Sequence, residues 1–121
     1  MSERSASMFG SAGPSNGCVL VVEDDPGVRS GIRQALQGAG YEVIEAENAQ
    51  KGMEAINFGE HPLVVDTVIA DIDMEKGIDA VNYFKQQYPH VPLIVLTGLP
   101  ERLRDVPDRM QVAIFGAGRG G

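Results

Sequence analysis

Cys18-Val-Leu-Val-Val22 is an unbroken apolar, β-branched run of strand length, and Glu23, Asp24 and Asp25 follow it directly. A run that is apolar at every position suits a strand covered on both sides, as strands of a parallel sheet are. The pattern returns twice. Val68-Ile-Ala70 ends in Asp71, and Pro92-Leu-Ile-Val-Leu96 ends in Thr97. Tyr41 to Ala46 and Val112 to Phe115 read as two further strands.

Helical patterns fill the gaps. Asp25 and Pro26 supply an N-cap and a first-turn proline. Val28, Ile32, Ala35, Leu36 and Ala39 then share one helical face before Gly38 and Gly40 end the segment. Asn48 caps a helix running to about Phe58, with Met53 and Ile56 inward. Ile78, Val81, Phe84 and Tyr88 mark a third helix. A short helical stretch starts near Glu101 and is broken by Pro107. Strands alternating with helices give right-handed βαβ units, hence an α/β fold with helices on both faces of a five-stranded parallel sheet.

The 121 residues suffice for one domain with a single core. Hydrophobic residues at 43% and charged residues at 22% make a globular rather than a disordered balance. A formal net charge of −7 argues against nucleic acid as a direct partner, since phosphate contacts need a basic surplus. The apolar runs are too short to cross a membrane, and no basic segment followed by an apolar one suggests a signal peptide. One cysteine, Cys18, excludes an intrachain disulfide and fits a reducing cytoplasm, where it reads as the first buried residue of a strand. Residues 1–17, rich in Ser, Gly, Ala and Pro, read as a flexible tail before a domain spanning 18–121.

In an open parallel sheet, functional groups collect at the carboxyl ends of the strands near the topological switch point. Here those ends carry Glu23 and Asp24, Asp71, and Thr97. Three converging carboxylates need a counter-ion, and an oxygen-rich site suits magnesium with retained waters and a phosphate oxygen. A carboxylate beside such a metal can act as nucleophile toward a phosphoryl group. Taken singly, the same residues also read as a helix cap, a turn aspartate and an ordinary Thr-Gly turn.

VLVVEDDPGVR, VIADIDM and PLIVLTG, in that order, resemble the three site motifs of bacterial response-regulator receiver domains, over about Cys18 to Phe115. The resemblance implies a flavodoxin-like, chemotaxis-regulator fold with strand order 2-1-3-4-5. It implies a phosphoacceptor at Asp71 and magnesium held by Glu23, Asp24, Asp71 and the backbone carbonyl of Asp73, whose side chain would tune phosphorylation lifetimes. It places the switch hydroxyl on Thr97, with Gly98 as the small residue leaving room for the phosphoryl group. The implied partners are a sensor histidine kinase or phosphotransfer protein and a downstream protein, with a homodimer possible.

Departures accompany the match. The loop after Asp71, Ile72 to Gly77, is about two residues shorter than the family's and lacks its proline. The family's lysine after strand five would fall on Ala117 and Gly118, and no lysine occurs after Lys85. The aromatic switch position falls on Ile114, and a fifth helix is missing from the pattern. Lost cover of strand five and of the helix around Ile32 and Leu36 predicts self-association or a loosely ordered C-terminal third. Gly116 to Gly121 spells G-x-G-x-x-G, but the dinucleotide fingerprint requires a helix and a second strand after it.

Two other readings stay open: a degenerate receiver serving only as a docking or dimerising module, and a small phosphohydrolase with an Asp nucleophile. Asp73 is the acid such hydrolases need two residues after the nucleophile, but the late lysine and a substrate cap are lacking.

Overall fold

The computed structural model describes residues 16–57, 64–105 and 111–112. Five parallel strands, β1 (Cys18–Val22), β2 (Glu42–Ala46), β3 (Thr67–Asp71), β4 (Leu93–Leu96) and β5 (Gln111–Val112), lie in the order β2-β1-β3-β4-β5. Helices α1 (Pro26–Gly38), α2 (Ala49–Asn57) and α3 (Gly77–Gln87) connect the first four, and a 3-10 turn (Pro100–Asp105) follows β4. The expected order and fold class are those observed. Residues 113–115, Pro107, Phe58, Ala117, Gly118 and the glycine-rich end lie outside the described residues, and no helix follows β5 among those described.

Alternation along each strand separates two faces. Leu20, Val22, Val68, Ala70 and Val95 point to the side that α2 and α3 cover with Ile56, Val81 and Phe84. Val19, Val21, Ile69 and Leu96 point to the α1 side, where Ile32 and Leu36 pack. Phe84 meets Tyr83 edge-on at 5.3 Å and stacks on Tyr88 at 5.9 Å. The result is three layers with the deeper core under α2 and α3.

Local chemistry explains the element ends. Asp25 Oδ1 accepts from the amides of Gly27 at 2.8 Å and Val28 at 3.1 Å, and Pro26 opens the helix without an amide to satisfy. Asn48 Oδ1 accepts from Lys51 N at 2.8 Å. Gly40 takes φ 94°, a left-handed conformation that glycine adopts at no steric cost. Asn16 and Gly17, read from sequence as tail, are tied to that turn: Asn16 N donates to Gly40 O at 2.8 Å and Asn16 Nδ2 to Ala39 O at 2.8 Å.

The apolar face read for α1 lies against the sheet but is only partly covered. No residue of α1 is buried: Ile32 and Leu36 are half-buried, Ala35 and Ala39 are exposed, and Val28 is 39% exposed. At the β2 edge of the helix, Arg29 and Arg33 clamp Glu45 at 3.1 and 2.9 Å. Cys18 does open β1, half-buried, and burial first, then Glu42 and Asp66, pushes its thiol up to about 11. Such a thiol is a poor nucleophile, which suits the structural role read for it. No described helix is long and apolar enough to cross a membrane.

Candidate functional site

The carboxyl ends of β1, β3 and β4 meet on one rim because parallel pairing puts Val22 beside Ala70 and Asp71 beside Leu96. Glu23, Asp71 and Thr97, each one step from or at a strand end, are all buried. Together with Asp73 and Gly98 they line a cavity of about 160 Å³.

Glu23 and Asp24, neighbours in sequence, part company. Glu23 is 2% exposed and Asp24 faces solvent. The Glu23 carboxyl is pushed up to about 8, by burial first and then by hydrogen bonding and repulsion from Asp71, while the amide of Asp25 at 3.1 Å pulls it down. A hydrogen bond between two carboxyl groups needs a proton on one of them. With both ionised, Glu23 Oε1 is left buried without a donor. Arg29 Nη1 reaches the Glu23 backbone carbonyl at 2.8 Å and so fixes the strand end rather than the carboxylate.

The loop after Asp71 is folded tightly back. Asp73 N donates to Asp71 Oδ1 at 2.7 Å, orienting the carboxylate. The Asp73 side chain turns away toward β4. It accepts from Thr97 Oγ1 at 2.8 Å, from Gly98 N at 2.6 Å and from Arg102 Nη1 at 3.3 Å. Gly77 packs against the backbone of Asp71 and Ile72, where a Cβ would come within 2.5 Å of the Asp71 carbonyl oxygen. Lys76, just before it, holds φ 58°.

Among the described residues, no three His, Cys, Asp or Glu side chains are grouped so as to hold a metal ion. Of the expected set, Glu23 and Asp71 offer buried side-chain oxygens and Asp24 is exposed, while the part expected of Asp73 is its backbone carbonyl rather than its engaged carboxylate. Glu23 and Asp71 fit magnesium: both are hard donors, one has an orphaned oxygen, and this ion commonly takes one or two carboxylates and keeps waters. Sequence reasoning missed Arg102, whose role rests on a contact 29 residues away. It also missed the bond from Arg29 to the Glu23 carbonyl.

Residues 19–117 match the family model of the response regulator receiver domain. This chain belongs to that family. Receiver domains are signalling modules that interact with histidine kinases or phosphotransfer proteins. This receiver domain is 37% identical over 82 residues to the DNA-binding transcriptional regulator NtrC of Bradyrhizobium sp., covering 67% of this chain and 16% of that protein. It is 37% identical over 84 residues to the KDP operon transcriptional regulatory protein KdpE of Escherichia coli, covering 69% of this chain and 36% of that protein. The matched stretch thus spans well under half of either relative. The fold superposes on the response regulator TrrA of Thermotoga maritima with a TM-score of 0.67 at 23% identity, covering 84% of this chain and 89% of the other. The TrrA structure is a complex with Mg(2+)-BeF.

Proposed function

We propose that this receiver domain accepts a phosphoryl group on Asp71 from a cytoplasmic histidine kinase or phosphotransfer protein, with magnesium, and signals by binding another protein. The observation that carries the reading is the burial of Asp71 at the end of β3, beside Glu23 and across one cavity from Thr97 and Gly98. An Asp71 oxygen attacks phosphorus, its P–O bond forms as the donor's bond to phosphorus breaks, and the donor departs with that electron pair. Hydrolysis reverses the state, with water attacking phosphorus and Asp71 regaining its carboxylate. Asp73 N holds Asp71 in position for attack, and the Thr97 hydroxyl and Gly98 amide are the donors available to the phosphoryl oxygens. A magnesium ion held by Glu23 and Asp71, with the Asp73 carbonyl and an approach from Asp24, would supply positive charge to the transferring group.

Incubation with acetyl phosphate and magnesium, followed by intact mass, tests this. The protein gains one phosphate and Asp71→Asn does not; equal labelling of both rules the assignment out. The rival reading, a phosphorylation-independent docking module, draws on the engagement of Thr97 and Gly98 by Asp73 and on the absence of lysine after Lys85. An unlabelled wild type would favour it.

A further inference from the structure

Asp73 presents a carboxylate to three donors at once: a hydroxyl, a backbone amide and a guanidinium. Its side chain is only 8% exposed, so the bonds from Thr97 and Gly98 form out of bulk water, where charge-assisted hydrogen bonds are strong, while Arg102 reaches it from a partly exposed position. Thr97 and Gly98 line the same cavity as Asp71. A phosphoryl group on Asp71 would therefore enter a space whose donors are already held by an anion, and whose charge has the same sign as its own. Thr97 has one hydroxyl proton, and Leu99 O at 3.2 Å is its more distant alternative acceptor.

Arg102 is the cation of this cluster. It sits on the 3-10 turn just after β4 and reaches Asp73 from there. Its guanidinium is the charge brought to the donors around Asp73. A guanidinium offers several donors in a planar fork suited equally to carboxylate and phosphate oxygens.

We propose that Asp73 acts as an internal stand-in for the phosphoryl group, holding its donors in the resting state, and that Arg102 transfers from Asp73 to the phosphoryl group once Asp71 is modified. The idea deepens the proposed function and rests on Asp71 being the acceptor. Asp73 is then a positioning residue that opposes phosphorylation, and Arg102 is a phosphoryl-binding residue. No bond to Asp73 or Arg102 forms or breaks; only their ion pair is exchanged.

The test is a set of Asp73 and Arg102 variants labelled with acetyl phosphate and magnesium, reading both the initial rate and the lifetime of the acyl phosphate by intact mass. Asp73→Asn and Asp73→Ala, each checked for native circular dichroism, should label roughly tenfold faster, the equivalent of one lost charged hydrogen bond. Adding Arg102→Gln to either Asp73 variant should cut the rate or the lifetime by about tenfold, and Arg102→Lys should restore part of it. A purely structural Arg102, there to anchor Asp73, would have no effect once Asp73 is gone; that result overturns the transfer. Unchanged kinetics in both Asp73 variants, with wild type labelled at Asp71, overturns the stand-in role alone. No label on any form removes the acceptor reading and this inference with it.

Discussion

The carboxyl of Glu23 is buried against that of Asp71, and one of its oxygens has no hydrogen-bond donor when both are ionised. Burial and the neighbouring Asp71 favour the protonated form of Glu23. Glu23 is held near 8 in the folded protein against an ordinary 4.5, so the folded state keeps a proton that the unfolded chain releases. The associated stability is complete below about 4.5 and is lost as pH rises through about 8. Urea midpoints in chelator should fall between pH 5 and pH 8.5, and Glu23→Gln should flatten that dependence. An unchanged slope in the variant would show that Glu23 is not the group responsible.

Gly77 packs where a side chain would meet the Asp71 carbonyl oxygen at 2.5 Å and Ile72 Cα at 2.6 Å. Because these obstacles are backbone, the loop itself has to move. Gly77→Ala should cost about 1–3 kcal/mol, as overpacking does, and should slow phosphorylation through the displaced Asp71. Stability and labelling measured on the same sample check both effects together.

Lys76 occupies the left-handed region at φ 58°, ψ 27°, with no side-chain cap to compensate. A non-glycine residue there costs about 1–2 kcal/mol, part of which glycine returns through the freedom of the unfolded chain. Lys76→Gly should therefore stabilise the domain by up to about 1 kcal/mol in urea unfolding. A loss of stability would mean that the lysine side chain itself contributes.

β1, β3 and β4 were legible because their residues are mostly apolar on both faces. Val19 to Val22 and Val68 to Ala70 announce burial before any partner is known, and Asp25 and Asn48 announce the helix starts. The depth of α1 was not legible. Periodicity says that Val28, Ile32 and Leu36 share a face, but not how much sheet and neighbouring helix lies there to cover it. At the site, the positions of Glu23, Asp71 and Thr97 followed from the strand ends. Which member of the acidic pair would be buried did not, since the outcome depends on where β1 stops relative to β3. The direction of the Asp73 side chain depends on Thr97, Gly98 and Arg102, all more than twenty residues away.

Half-buried Ile32, Leu36 and Ile94 and exposed Val28 carry forward the expectation of self-association on this side of the molecule. Sedimentation velocity over a range of concentrations should show reversible association, and Ile32→Glu should weaken it. A monomer at all concentrations would refute the expectation.

The uneven thickness of the two layers also sets an order of opening. α3 is pinned by Ala80, Val81 and Phe84 at full burial, whereas α1 is held by half-buried side chains and by the Arg29, Arg33 and Glu45 cluster at the surface. Hydrogen exchange should therefore release the α1 amides at a lower free energy than those of α3, as a separate cooperative unit. Arg29 is part of that unit and also grips the Glu23 carbonyl. Each excursion of α1 would slacken the end of β1, so the acidic rim would breathe on the timescale of the weakest helix rather than that of the sheet.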